Sequence, residues 1–399
     1  MYNDVICHYE VIRIQSERAG KYVRVLHGEM AYQAFEPKDL PPHPSIIINE
    51  ELSLLIGKAH RELGRMDGIS EQIPDMDMFV AMYVRKEALL SSQIEGTLAT
   101  IDDILDPDIE ENTNLEVQDV VNYIKAIQFA VAKFDELPLC NRLLNETHTI
   151  LVEGIRGQDK NPGEFRRSQN WIGPQGGSLK HAIYVPPTVE TMERAMSALE
   201  KFMNEPDEID LLVKIGLIHY QFETIHPYLD GNGRIGRMLI TLWMMVHGLL
   251  KYPVLYISYY LKRHRIEYYD RLMDVRYKGH YEKWLRFFLK GIIASAEDAY
   301  ENIHIINKLN VRNMARIEAL PGRKNTVIRL FQYVQRNPII DIAKTSVALG
   351  VQYNTAAKAV ETLVALEILE LVNNSYKRNR RFMYSEYLEI LRKDTDPLS

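Results

Sequence analysis

The run Ile225-His226-Pro227-Tyr228-Leu229-Asp230-Gly231-Asn232-Gly233-Arg234-Ile235-Gly236-Arg237 sets a base, an acid, two arginines and three glycines side by side. Pro227 disfavours the α region at His226, so a helix running from Ile209 must end there and present an imidazole at its exit. Asp230-Gly231-Asn232-Gly233 reads as a tight loop whose glycines let backbone N–H groups approach an anion closely. Helical spacing resumes from Arg234 to Leu250, so the loop lies at a helix N-terminus, where free N–H groups and the macrodipole favour phosphate. Arg234 and Arg237, three apart on one helical face, can serve the same anion. Asp230 is placed to hold a divalent cation on it. The chemistry these residues could do is phosphoryl transfer assisted by a general base.

Gly231 to Gly236 also fits the G-x-G-x-x-G dinucleotide fingerprint, but that fingerprint needs a preceding strand in a βαβ unit. Here an amphipathic helix and a His-Pro break come first, so the fit is formal. A plain glycine-rich connector would have no need of a base, an acid and two arginines around the glycines. His219 lies two helical turns before His226, and without a third ligand at useful spacing it reads as a core or hydrogen-bonding histidine rather than half of a metal pair.

The run His226 to Arg237 resembles the Fic family signature, His-Pro-aromatic-x-Asp-Gly-Asn-Gly-Arg-x-x-Arg, at every fixed position. Pro162-Gly163-Glu164-Phe165-Arg166 through Val185-Pro186-Pro187 is similar to the flap of that family. The resemblance implies transfer of AMP from ATP to a Ser, Thr or Tyr hydroxyl of a target protein, with His226 taking the hydroxyl proton and pyrophosphate leaving. It implies Mg²⁺ held by Asp230 and an anion hole lined by Gly231, Asn232 and Gly233. Arg234 and Arg237 would bind the β- and γ-phosphates, and Ile235 and Gly236 belong to the same nucleotide-binding run. Tyr268 and Tyr269 are candidates for adenine or ribose, although they read equally well as core aromatics. Removal of AMP, transfer of another phosphate-containing group, self-AMPylation and a homodimer are all compatible with the same signature.

Ser91-Ser92-Gln93-Ile94-Glu95-Gly96 is similar to the inhibitory motif of the family, with Ser91 and Glu95 four apart on a helix and Gly96 free to end it. In that family the glutamate pairs with the second signature arginine, here Arg237, and obstructs the γ-phosphate position. The flap strand at Ile183 and Tyr184 could pair main chain to main chain with a target segment and present its hydroxyl in register.

The elements that must position these residues are mostly helical. Leu52, Leu54, Leu55 and Ala59 mark one amphipathic stretch, and Phe79 to Leu90 marks another ending near Gly96. Val117 to Phe134, Leu143 to Ile155 and Val189 to Met203 repeat the spacing. Between Gly157 and Pro187 it fails, and Asn170-Trp171-Ile172 and Ile183-Tyr184-Val185 read as a β-hairpin around Gly173, Pro174, Gly176 and Gly177. Pro37, Pro41, Pro42 and Pro44 mark an extended connector after a β-branched and aromatic segment, Tyr22 to Leu26.

A charged stretch, Ala315 to Lys324, introduces a different unit. Val327 to Val334, Ile339 to Leu349 and Thr355 to Leu366 read as three short helices, and Leu369 to Val372 can pair with Phe382 to Tyr384. This suggests a winged helix-turn-helix with Lys377, Arg378, Arg380 and Arg381 in its wing. A DNA-binding, nucleotide-sensing regulator is therefore the non-enzymatic alternative. Thr355 to Leu366 lacks an arginine for reading guanine, which favours protein docking at least as much. The expected fold is mainly α, with an N-terminal inhibitory region (1–110), a Fic helical core with a β-hairpin flap (111–300) and a winged helix (320–395).

Bulk properties fit this picture. At 399 residues and 46% hydrophobic, the chain calls for more than one domain, and a net charge of −6 excludes a general polyanion-coating protein. Cys7 and Cys140 are the only cysteines, which suits a reducing compartment, with the cytoplasm as the default. The N-terminus does not read as a signal peptide, and the most apolar run, Met238 to Leu250, is too short to span a bilayer.

Overall fold

The computed structural model describes residues 16–26, 31–70, 76–109, 112–154, 160–173, 179–372 and 380–397. Two strands, β1 (Gly20–Val25) and β2 (Tyr32–Pro37), precede helices α1 (Glu50–Ser70), α2 (Met76–Ile94), α3 (Ile101–Ile104), α4 (Leu115–Ala132) and α5 (Asn141–Leu151). Then come α6 (Val189–Asn204), α7 (Leu211–Ile225), α8 (Asn232–Val246), α9 (Ser258–Arg263), α10 (Arg265–Lys278) and α11 (Tyr281–Glu318). The order closes with α12 (Asn325–Arg336), β3 (Ile339–Asp341), α13 (Ile342–Leu349), α14 (Tyr353–Ala365), β4 (Glu370–Leu371), β5 (Arg381–Met383) and α15 (Ser385–Arg392). These elements form two compact units, one of Met1–Leu63, Lys125–Lys251 and Tyr260–Ala294, the other of Gly64–Ile124, Tyr252–Tyr259 and Ser295–Ser399.

The first unit is built around α7. Every residue from Leu212 to Ile225 is buried, the state of a helix that is apolar on all sides and has neighbours all round. Asp210 starts it by accepting from the backbone N–H groups of Leu212 (2.9 Å) and Val213 (3.3 Å), which removes two of the orphan donors of a helix start. The first turns of α11 press on α7 at Gly216, whose carbonyl accepts from Trp284 Nε1 at 2.8 Å. A Cβ at Gly216 would lie 2.8 Å from Leu285 Cδ2 and 3.1 Å from Phe288 Cδ1.

β1 and β2 pair antiparallel from Gly20↔Pro37 to Val25↔Tyr32. The second strand was not visible in the sequence, because Tyr32 to Pro37 is too short and mixed to alternate cleanly. The expected flap hairpin is reduced to one antiparallel bridge, Ile172↔Tyr184. Its expected tip at Pro174, Gly176 and Gly177 lies outside the described residues.

In the second unit, α2 ends at Ile94. The chain turns there through Gly96 at φ 103, where a Cβ would be strained although it would meet no atom. Buried Gln93 sends Nε2 to the carbonyls of Ala99 (2.9 Å) and Thr395 (2.8 Å). α12, α13 and α14 accompany a sheet ordered β3-β5-β4, antiparallel throughout. Ile339 to Asp341, expected as the start of a helix, is a strand instead. Asp341 then caps α13 by accepting from the N–H of Lys344 at 2.8 Å, so the β-branched pair before it is left extended. The charged stretch from Ala315 is helical as far as Glu318. Lys377 and Arg378 of the expected wing lie outside the described residues, and Arg381 is ion-paired with Asp106 and Asp108.

Substituting Gly216→Val forces apart α7 and the start of α11. The expected cost is about 1–3 kcal/mol, read as a lower urea midpoint at unchanged slope; an unchanged midpoint would show that the helices do not meet as closely as described.

Candidate active site

α7 ends where the sequence placed its end. His226 adopts φ 52 and ψ 62, in the left-handed region, and its N–H closes the helix on the carbonyl of Phe222 at 2.9 Å. A helix end leaves its last carbonyls without intrahelical donors, and here side chains from several segments supply them. Arg276 Nη2 donates to Glu223 O (3.2 Å) and Tyr184 Oη to Thr224 O (2.6 Å). Arg166 Nε (3.1 Å) and Asn170 Nδ2 (3.2 Å) both donate to His226 O, and the Arg166 N–H donates to Pro227 O at 2.8 Å.

The turn from Tyr228 to Gly231 is fixed in the same way. Asn232 bonds the main chain of Tyr228 twice, accepting from its N–H at 2.8 Å and donating to its carbonyl at 2.7 Å. Asn170 also donates to Tyr228 O, at 2.9 Å. Asp230 Oδ1 accepts from the N–H of Gly231 at 2.6 Å and lies 3.8 Å from Arg234 Nη2. Gly231, at φ 76, leads into α8 with no side-chain cap. The first N–H groups of α8 therefore have no intrahelical acceptor, the arrangement that suits a bound anion. Arg234 is buried and stands at this end.

His148 holds the loop from behind. Its Nδ1 accepts from the N–H of Gly163 at 3.0 Å, so in the neutral ring the proton sits on Nε2, which donates to Asp230 O at 3.0 Å. The ring stacks on Tyr228 with centroids 3.8 Å apart and 6° between planes. Burial above all, with the charge of Arg234 adding, pushes the His148 pKa down to about 4. His219 is similarly trapped. Its Nδ1 faces Gly236 O and must carry the proton, while Nε2 accepts from Tyr268 Oη at 2.8 Å. Burial and the nearby Arg237 push its pKa down to about 3.

The turn thus gathers His226, Asp230, Gly231, Asn232, Gly233 and Arg234. Several other residues of the expected set have different positions. Asn232 spends its side-chain amide on Tyr228, leaving only its main chain for an anion. The Ile235 side chain is buried in the core, and a Cβ at Gly236 would lie 2.3 Å from Glu223 Oε1. Arg237 is buried at 1% exposure. Tyr268, a candidate for nucleotide contact, is buried with its hydroxyl on His219, whereas Tyr269 is 38% exposed. In the flap the Tyr184 side chain is core, under the Arg276 guanidinium at 3.8 Å, while Ile183 is half-buried. In the other unit Ser91 is buried and Glu95 is an exposed residue one step past α2.

Sequence reasoning gave no role to His148 or Arg276 and placed Arg166 and Asn170 only in the flap. Their bonds to the end of α7 and its turn reach main-chain atoms dozens of residues away, and no spacing rule registers such contacts.

Residues 53–132 match the model described as Fic/DOC family N-terminal, and residues 138–244 match the Fic/DOC family model. Both segments of this chain are similar to the Fic/DOC family. The second match contains the whole turn and its helices. Over 185 residues, 45% of its length, this chain is 31% identical to each of two proteins named Protein adenylyltransferase Fic, from Aedes aegypti and Culex quinquefasciatus. The match spans about a third of the length of those relatives, 32% in each case. The fold is similar to the crystal structure of a Fic family protein from Desulfovibrio desulfuricans G20, with a TM-score of 0.54 at 19% identity, covering 85% of this chain and 97% of that one.

The two buried histidines make the Fic core acid-sensitive in a calculable direction. The unfolded chain takes up protons on both from about pH 6.5 downward, whereas the folded chain resists until about pH 4 for His148 and about pH 3 for His219. Their contribution is therefore whole above pH 6.5 and shrinks as pH falls toward those values. In a His148→Gln chain the decline in Tm between pH 6.5 and 4 is expected to be shallower than in the wild type. Parallel declines would overturn this assignment.

Proposed function

We propose that this Fic protein is a protein adenylyltransferase that moves AMP from ATP to a Ser, Thr or Tyr hydroxyl of a target protein. The observation that carries the reading is the placement of His226 in a fixed left-handed turn leading into the uncapped N-terminus of α8, beside Arg234. The name shared by the curated relatives supports it.

In this reading His226 removes the proton of the target hydroxyl as its oxygen bonds to the α-phosphorus. The bond from that phosphorus to the bridging oxygen breaks, and pyrophosphate leaves. Positioned general-base help contributes typically ~10²–10⁴-fold, and stabilised phosphate charge supplies much of the rest. The N–H groups of Asn232 and Gly233, with Arg234 and Arg237, bind the phosphates, and the loop at Gly231 is held by Asp230 Oδ1.

No cluster of three or more His, Cys, Asp or Glu side chains able to hold a metal occurs among the described residues. One exposed carboxylate beside a phosphate site is nevertheless the donor set that suits Mg²⁺, which is commonly bound through one or two carboxylates, substrate phosphates and water. Asp230, with a side chain 49% exposed, meets that requirement. Mg²⁺ would neutralise phosphate charge there.

Glu95 restrains the activity in this proposal, and main-chain atoms around Ile183 in the flap align the target. The region from α12 to β5 is read as a winged helix-turn-helix that docks a protein. The pairing of Arg381 with Asp106 and Asp108 leaves that arginine committed within its own unit and argues against a phosphate-binding wing. No described helix is long and apolar enough to cross a membrane, and the cytoplasm remains the proposed location.

The test is incubation of wild type, Glu95→Gly and Glu95→Gly/His226→Ala with α-labelled ATP, Mg²⁺ and cell lysate. Label on protein is expected to rise at least tenfold in Glu95→Gly and to vanish in the double variant. If none of the three transfers label to any protein, itself included, the adenylyltransferase reading fails. Equal labelling by wild type and Glu95→Gly would remove only the inhibitory role.

A further inference from the structure

We propose that Arg166 is the positioning residue for the His226 base, and that its guanidinium joins that base to both ends of the flap. The inference rests on the adenylyltransferase reading for its kinetic consequence, and on geometry alone for its structural one.

Arg166 is 1% exposed. Its three side-chain bonds all go to main-chain carbonyls: Nε to His226 O at 3.1 Å, Nη1 to Ser168 O at 3.3 Å and Nη2 to Pro187 O at 2.5 Å. A buried cation is expensive, and the usual compensation is a carboxylate. Here the compensation is a set of carbonyl dipoles, so the group contributes to folding less readily than an apolar side chain of similar length would. Burial pushes its pKa down only to about 10, which leaves it charged at neutral pH.

The carbonyls are not scattered. Ser168 stands where the chain enters the flap and Pro187 where it leaves, while His226 is the proposed base. A planar guanidinium presents its donors in a fixed fork and can hold all of them at once, whereas an ammonium is a single point charge on a flexible stem. The backbone N–H of the same residue adds the bond to Pro227 O at 2.8 Å. Arg166 therefore donates to the carbonyl of the 226–227 peptide and to that of the 227–228 peptide after it.

A non-glycine residue in the left-handed region persists only where its surroundings over-determine it. The side-chain amide of Asn170 supplies one more bond to His226 O and its other bond goes to Tyr228 O, so it reaches neither Ser168 nor Pro187. Removing the Arg166 fork frees the 226–227 peptide to rotate and swings the imidazole away from a hydroxyl aligned by the flap. Nucleotide binding should be spared, because the N-terminus of α8, Arg234 and the Asn232 staple do not depend on the fork.

The experiment uses the full chain carrying Glu95→Gly, with Arg166→Lys and Arg166→Met compared in that background and Asn170→Ala as a milder variant that keeps the fork. Kinetics and crystal structures are both measured. Both Arg166 variants are expected to lose at least tenfold in kcat, while KM for ATP stays within about twofold. Asn170→Ala should lose less. Arg166→Lys should fail to rescue despite keeping the charge, which separates a fork from a mere cation. The structures of the variants should show His226 displaced from φ 52.

If Arg166→Lys restores full kcat, or if kcat and KM for ATP worsen together, the proposal is overturned. Should Arg166→Met fail to fold, Arg166→Lys and Asn170→Ala still decide it. If the Glu95→Gly parent transfers no AMP, the adenylyltransferase reading has failed. The crystal structures then decide the positioning claim: a displaced His226 upholds it and an unmoved one overturns it.

Discussion

The end of α7 leaves backbone carbonyls inside the protein with no intrahelical donor, and the geometry of the proposed active site follows from how they are satisfied. Water cannot reach them in quantity, so side chains must. Arg276, Tyr184, Arg166 and Asn170 bring donors from α10, both sides of the flap bridge and the segment after α5, while Asn232 of α8 and Asn170 also hold Tyr228 O beyond the helix. Each bond costs a little order and prevents an orphaned polar group. Together they leave the His226 to Gly231 turn almost no freedom, which is the condition for catalysis by positioning rather than by covalent chemistry.

The same economy explains the two buried histidines. His148 and His219 both face a main-chain carbonyl with one nitrogen and a hydrogen-bond donor with the other, so each is fixed in a single neutral tautomer. Neither can act as a base at neutral pH. Their use is architectural: His148 ties the carbonyl of Asp230 to the N–H of Gly163, and His219 ties α7 to α8 at Gly236. The proposed base is His226, at the turn itself.

The second unit shows a comparable logic around the motif at Ser91 to Gly96. The helix stops because Gly96 takes a conformation that a side chain would resist, and Gln93 is pinned by the carbonyls of Ala99 and Thr395. Asp102 pairs with Arg392, and Asp106 and Asp108 pair with Arg381. Exposed pairs of this kind are weak singly, about 0–1 kcal/mol. Several of them between the same two stretches nevertheless favour one register of the segment after Glu95 against the C-terminal residues.

Local physics was enough to read several features from the sequence. The helix break at His226, the glycine turn, the helix that follows, the end of α2 before Gly96 and the mainly helical fold all depend on residues adjacent in the chain. A proline, a glycine pair or a 3.6-residue spacing acts over one or two turns and can be recognised there. Tertiary structure alone decided the rest: that Tyr268 and Tyr184 are core, that Gly236 packs against α7, that Ile339 to Asp341 is a strand, and that Arg166 serves the His226 carbonyl across sixty residues. Those outcomes turn on which buried carbonyl lacks a donor and which side chain can reach it, and neither is defined until the chain has folded back on itself.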